Sequence, residues 1–223
     1  ERFKADPTAS YTLPDGQVLN KNHKIITYVS RALEPVRGFH QLLRTLYPLL
    51  KKHKDVVALV VGRQSPPAYS PEPPADKTWL RYFFNAVANN DAEFQLLSDT
   101  DQHDPASVKR EIFSRIIFTG SVHPQIIRRI LQVSTVHTYW TYPFVLSWSS
   151  IEAMSSGCTL VASDTEPLHE VVKHGENGLL IDFFDVQQWV KEIEVLLDTA
   201  PKYPLALLNQ VKDACALQEE EEE

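Results

Sequence analysis

Two hydrophobic spacings alternate along the chain. Lys24–Ser30 (KIITYVS) and Val56–Val61 (VVALVV) are short apolar runs that predict buried strands. Between them, Phe39–His53 sets Leu42, Leu43, Leu46, Leu49 and Leu50 at steps of three and four, the spacing of an amphipathic helix. Four more runs predict strands: Arg115–Thr119, Val136–Trp140, Thr159–Ser163 and Gly178–Asp182. Helices are expected at Gln125–Val133, Ser147–Ser155, Pro167–His174 and Val186–Leu197. Strands apolar on both faces and separated by helices imply a parallel sheet covered on both sides. Right-handed crossovers then give an α/β, doubly wound, mainly parallel six-stranded sheet.

The ends and one internal segment break this rhythm. Glu1–Gly16 is polar and carries Pro7 and Pro14, so residues 1–20 read as an interdomain linker or tail. Residues 21–200 form the Rossmann-like domain, interrupted by a loop and helix insertion at about 64–114. The insertion opens with Gln64–Lys77, where Pro66, Pro67, Pro71, Pro73 and Pro74 favour an extended, exposed loop. A helix over Trp79–Leu97 and a polar loop over Ser98–Pro105 complete it. The insertion is expected to decorate the surface rather than cover a ligand cleft. Residues 201–223 read as a short C-terminal helix and an acidic tail.

Composition narrows the function classes. The formal charge is −7, but the terminal run Glu219–Glu223 supplies five of the negative charges and leaves the body nearly neutral. No basic stripe marks a nucleic-acid surface. The clusters Lys51-Lys52-His53-Lys54 and Arg128-Arg129 fall on helix ends or faces and read as solvated surface. Two cysteines, Cys158 and Cys215, are too few for a disulfide framework and fit a reducing, cytoplasmic setting. No apolar run reaches the length of a membrane span, and any membrane association of the full protein is not visible in these residues. The histidines are scattered without ligand spacing, so no metal is expected. Walker, dinucleotide-binding and nucleophile-elbow signatures are absent from the sequence.

Ligands of doubly wound sheets sit beyond the carboxyl ends of the strands. The loop after the first strand, Ser30-Arg31-Ala32-Leu33-Glu34-Pro35-Val36-Arg37-Gly38, offers two arginines and a helix start. Guanidinium groups bind phosphate with forked, charge-assisted bonds, and helix N-termini favour anions. The segment Thr141–Asp185 supplies a second cluster. It holds Ile151-Glu152-Ala153-Met154-Ser155-Ser156-Gly157, a strand, a helix bearing Glu170, and Glu176-Asn177-Gly178.

This succession resembles the C-terminal, donor-binding half of retaining GT-B glycosyltransferases of the group 1, or family 4, type. The resemblance covers about Lys24 to Leu197. It implies one half of a GT-B fold, with Arg31 and Arg37 holding the donor diphosphate and stabilising the leaving nucleotide. It implies amides of Phe144-Val145-Leu146-Ser147 at the phosphates, and Glu152 accepting bonds from the ribose hydroxyls. Arg63, after the second strand, is a further base-side or phosphate candidate. Ile117 and Phe118 are implied near the base, the amides of Thr165 and Glu166 near sugar or phosphate, and Glu170 as a structural acid. Where the family carries its first glutamate, this chain carries Phe144.

The implied reaction moves a glycosyl group from a nucleotide-sugar to an acceptor hydroxyl with retention, without a cofactor or metal. The implied partners are the nucleotide-sugar donor and an N-terminal acceptor-binding domain of the same protein, without which no activity is expected. Phe144 leaves open a non-catalytic nucleotide-sugar-binding scaffold. The two-domain architecture also admits a nucleotide-sugar epimerase.

Overall fold

The computed structural model describes residues 3–73, 78–88 and 111–199. The predicted helix beyond Ala88, the polar loop over Ser98–Pro105, and the C-terminal helix and acidic tail lie outside the described residues. Six parallel strands make one sheet: β3 (Lys24–Ala32), β4 (Val56–Arg63), β5 (Ile116–Gly120), β6 (Val136–Tyr139), β7 (Thr159–Ser163) and β8 (Leu179–Ile181). Their spatial order is β5-β4-β3-β6-β7-β8. The chain therefore builds outward from β3 in one direction, returns, and builds outward from β6 in the other. The carboxyl ends of β3 and β6 diverge into opposite crossovers, which is where such sheets open a crevice. Among the described residues, no helix is long and apolar enough to cross a membrane.

Strand alternation explains the two cores. Ile26, Tyr28, Ala58, Val60 and Val136 point to one face, where they meet α1 (Phe39–Lys52) and α6 (Val186–Thr199). Their neighbours Ile25, Val29, Leu59 and Val61 point to the other, against α3 (Pro124–Val133) and Ala153 of α4 (Trp148–Ser155). Two tryptophans lock the first face: the Trp140 and Trp189 rings stack 3.8 Å apart at 22°. Trp189 Nε1 donates to the Asp182 carbonyl at 2.9 Å, which satisfies its one polar atom. A smaller core under β7 gathers Tyr139, Met154, Leu160, Leu168 and Val172. The helix expected over Pro167–His174 is shorter, α5 (Glu166–His169), because Gly175 at φ 80° and the Asn177 side chain rebuild the chain as a turn. Asn177 accepts from the Lys173 amide and donates to the Val171 carbonyl.

The segment expected as an interdomain linker or tail over residues 1–20 is packed structure over residues 3–20. β1 (Ser10–Thr12) and β2 (Val18–Asn20) pair antiparallel. Ala9, Leu13 and Leu19 are buried in the second core. Each strand has only three residues, too few for an alternating pattern, so the polar composition and prolines dominated the sequence reading. Gln132 Nε2 also donates to the Lys4 carbonyl at 2.8 Å, which ties the segment to the end of α3.

One buried polar network supports the sheet. His137 is fully buried on β6, with Nδ1 2.9 Å from Thr27 Oγ1, which itself lies 2.8 Å from Ser134 Oγ. Nε2 is also buried and has no partner. An imidazolium there would carry a desolvated, unbonded N–H, so burial pushes the His137 pKa down from 6.5 to about 3.

Two outcomes follow from this packing. Leu19→Ala is expected to cost about 2–5 kcal/mol in denaturant unfolding, against under about 0.5 kcal/mol for a free linker. Because the unfolded chain binds the His137 proton first, stability is full above about pH 6.5 and declines as pH falls toward 3. Unfolding followed across that window should show the slope, and His137→Gln should flatten it.

Candidate functional site

The site grows from a close backbone approach. Gly38 begins α1 at φ 65°, and a Cβ there would overlap Cβ and Cγ of Trp140. Glycine meets both demands: it tolerates positive φ and has no atom to clash. The loop after β3 is thereby brought onto the end of β6. Two hydrogen bonds fix it there. Tyr28 Oη donates to the Arg37 carbonyl at 2.8 Å, and the Tyr142 amide donates to the Val36 carbonyl at 3.1 Å.

Above this junction lies a cleft of about 310 Å³ at the β3/β6 divergence. Arg31, at the end of β3, and Arg37, from the loop after it, line the cleft, with Ser147, Trp148, Ser149 and Glu152 from the start of α4. Tyr69 and Tyr139 complete its walls. Arg31 is exposed and makes no hydrogen bond or ion pair among the described residues. Arg37 is half-buried and anchored without a carboxylate. Its Nη1 donates to Thr141 Oγ1 at 3.1 Å and lies 3.5 Å from Tyr139 Oη. Its guanidinium carbon sits 4.9 Å from the Tyr69 ring centroid and 4.9 Å from that of Phe144. Those two rings also meet each other, 5.2 Å apart. Cation–π contact holds such a group in place without neutralising its charge.

The start of α4 is the second wall. Ser147 takes the extended backbone of an N-cap residue, yet its side chain does not cap the helix. Its Oγ instead lies 3.0 Å from Ser149 Oγ, while Ser150 Oγ donates to the Ser147 carbonyl at 2.7 Å. Helix starts leave amides without intrahelical partners, and these favour anions.

The structure sorts the residues expected from sequence. Arg31, Arg37, Ser147 and Glu152 converge on the cleft. Phe144 borders it through Arg37. Val145 is exposed at 69% and does not line it, and Leu146 packs on the third core. Arg63 is turned to another task, donating from Nε to the Pro66 carbonyl at 2.8 Å and from Nη2 to that of Pro67 at 3.4 Å. Phe118 lines a separate surface cavity beside α2 (Trp79–Ala88).

The loop expected over 64–77 is described as far as residue 73, and within it Tyr69 lines the cleft. The buried carboxylate of Glu34 holds this stretch: its Oε2 accepts from the amides of Ala68, Tyr69 and Ser70 at 2.9, 2.9 and 2.8 Å. Tyr69 is thereby a site residue that sequence reasoning missed, as are Tyr139 and Ser149. Tyr69 stands among prolines, where no periodicity reports a side chain's direction. Glu34 was in view in the first loop, but its partners lie 34 to 36 residues away.

A doubly wound sheet with a charged cleft at its switch point defines a Rossmann-like domain. The chain belongs to the glycosyl transferases group 1 family, whose profile matches residues 12–210. It is 26% identical over 183 residues to spore coat protein SA of Bacillus subtilis (strain 168), covering 80% of this chain and 41% of that protein. The chain thus spans less than half of that relative's length. Its fold is similar to the C-terminal domain of the group 1 protein LpcC from Francisella tularensis, with TM-score 0.60, 17% identity and 86% of each chain covered. It is also similar to HepE from Anabaena, with TM-score 0.58, 20% identity, and 86% of this chain and 44% of that one covered.

Gly38→Ala combines a steric overlap with a strained backbone, so it should lower stability by about 2–4 kcal/mol in denaturant unfolding.

Proposed function

We propose that this domain binds the nucleotide-sugar donor of a glycosyltransferase that transfers a glycosyl group to an acceptor hydroxyl with retention of configuration. The observation that carries this reading is the convergence of Arg31, Arg37 and Glu152 on one cleft at the switch point. Two guanidinium groups and a helix start suit a diphosphate, and a carboxylate suits the vicinal hydroxyls of a ribose because it accepts from two donors at once. HepE, which shares the fold, has been solved with UDP and with UDP-glucose.

In the proposed reaction the bond from the anomeric carbon to the diphosphate breaks and a bond to the acceptor oxygen forms. The hydroxyl proton leaves with the departing phosphate or to solvent. Negative charge grows on the diphosphate as the bond breaks, and Arg31, Arg37 and the α4 amides would stabilise it. These groups would supply positive charge without a metal. Phe144 places an aromatic ring on Arg37 where the family glutamate would reach toward the sugar. Sugar recognition in this chain would therefore rest on other groups. Acceptor binding would belong to a separate N-terminal domain.

Calorimetric titration with UDP, GDP, ADP and pyrophosphate tests the reading. Arg37→Ala should weaken every ligand by about tenfold or more, as expected for loss of a charge-assisted phosphate contact. Glu152→Ala should weaken the nucleotides and leave pyrophosphate unchanged. Equal affinities in wild type and both variants would rule out the assigned donor site.

A further inference from the structure

We propose that Glu34 is a positioning residue of the donor site. It acts through a strap, residues 66–70, that sets Tyr69 against Arg37. The inference rests on the donor-site reading above, and it extends that reading to Glu34, which does not line the cleft.

Glu34 is completely buried. Its Oε2 takes three consecutive backbone amides, and its Oε1 is buried with no partner among the described residues. Burying a carboxylate is costly, and leaving one oxygen unbonded makes it more so. A loop needing only attachment would be served by a neutral acceptor. Three amides on one carboxylate oxygen, in contrast, fix the direction of three successive peptides by charge-assisted bonds.

The strap is pinned on both sides of this clamp. Arg63 holds the carbonyls of Pro66 and Pro67. The Val36 amide donates to Ser70 Oγ at 3.3 Å, and Trp79 Nε1 donates to the Pro71 carbonyl at 3.0 Å. Tyr69, the central residue of the clamped triplet, presents its ring to Arg37. The outcome is a guanidinium located by two rings and two hydroxyls and left fully charged for a diphosphate. A carboxylate partner would hold Arg37 equally well but would compete with the phosphate for its donors.

The test compares wild type with Glu34→Ala, Glu34→Gln and Tyr69→Ala. Calorimetry with pyrophosphate and UDP gives affinity, thermal melting gives stability, and nitrogen NMR of the Arg37 guanidinium reports its rotation without any ligand. Tyr69 is 48% exposed, so Tyr69→Ala tests the ring without a question of folding. We expect Glu34→Ala and Tyr69→Ala to weaken pyrophosphate and UDP about tenfold, the scale of a cation–π contact in a partly desolvated site. Glu34→Gln, which keeps an oxygen for the three amides but not its charge, should fall between wild type and Glu34→Ala. The Arg37 Nη signals should be separate in wild type and merge in Glu34→Ala and Tyr69→Ala. A lower melting temperature with unchanged affinity and unchanged Arg37 signals would reduce Glu34 to a loop staple and overturn the proposal. If wild type binds neither ligand, the donor-site reading fails, and the Arg37 signals alone decide whether the strap positions that residue.

Discussion

The site depends on the absence of a side chain at Gly38. Only there does the chain leave β3 and enter α1 with its backbone against Trp140. Trp140 is itself stacked on Trp189 of α6, so the junction reaches through the first core to the far helix. Because interiors pack at crystal-like density, such a junction has little room to relax. Arg37 is the residue immediately before it. Its carbonyl is taken by Tyr28 and its side chain by the end of β6, so its place is fixed by sheet and core as well as by the loop.

Around that junction, polar groups divide the work between building and binding. Glu34 and Arg63 have opposite charges and lie at neighbouring strand ends, yet neither is spent on the other. One collects amides and the other collects carbonyls, and between them they shape residues 66–70. Arg31 and Arg37 face the cleft, and among the described residues no carboxylate is bonded to either. The end of β3 and the loop after it thus carry a structural acid and two cleft-facing cations within seven residues.

Much of this was legible in the sequence, for identifiable reasons. The apolar runs that made β3 and β4 readable are long and buried on both faces, so composition alone marked them. The Glu152 segment was readable because its residues are adjacent in sequence and lie on one short helix. The hairpin over residues 10–20 was not readable, because strands of three residues carry no period and its burial comes from contact with α3 and α4. Arg63 stands at the strand end where it was expected and there holds the carbonyls of Pro66 and Pro67, since a guanidinium serves a carbonyl as readily as a phosphate. Tyr69 and Glu34 show the limit most clearly: their meaning lies in bonds spanning more than thirty residues, and local pattern holds no trace of these.

The strap has a further consequence for how this chain can vary. Its last anchor is the Pro71 carbonyl, held by Trp79, and every bond that orients Tyr69 lies before that point. Shortening the chain by one residue between Arg63 and Ser70 would shift the amides out of register with Glu34. The length of that stretch is thus set by the carboxylate on which it closes.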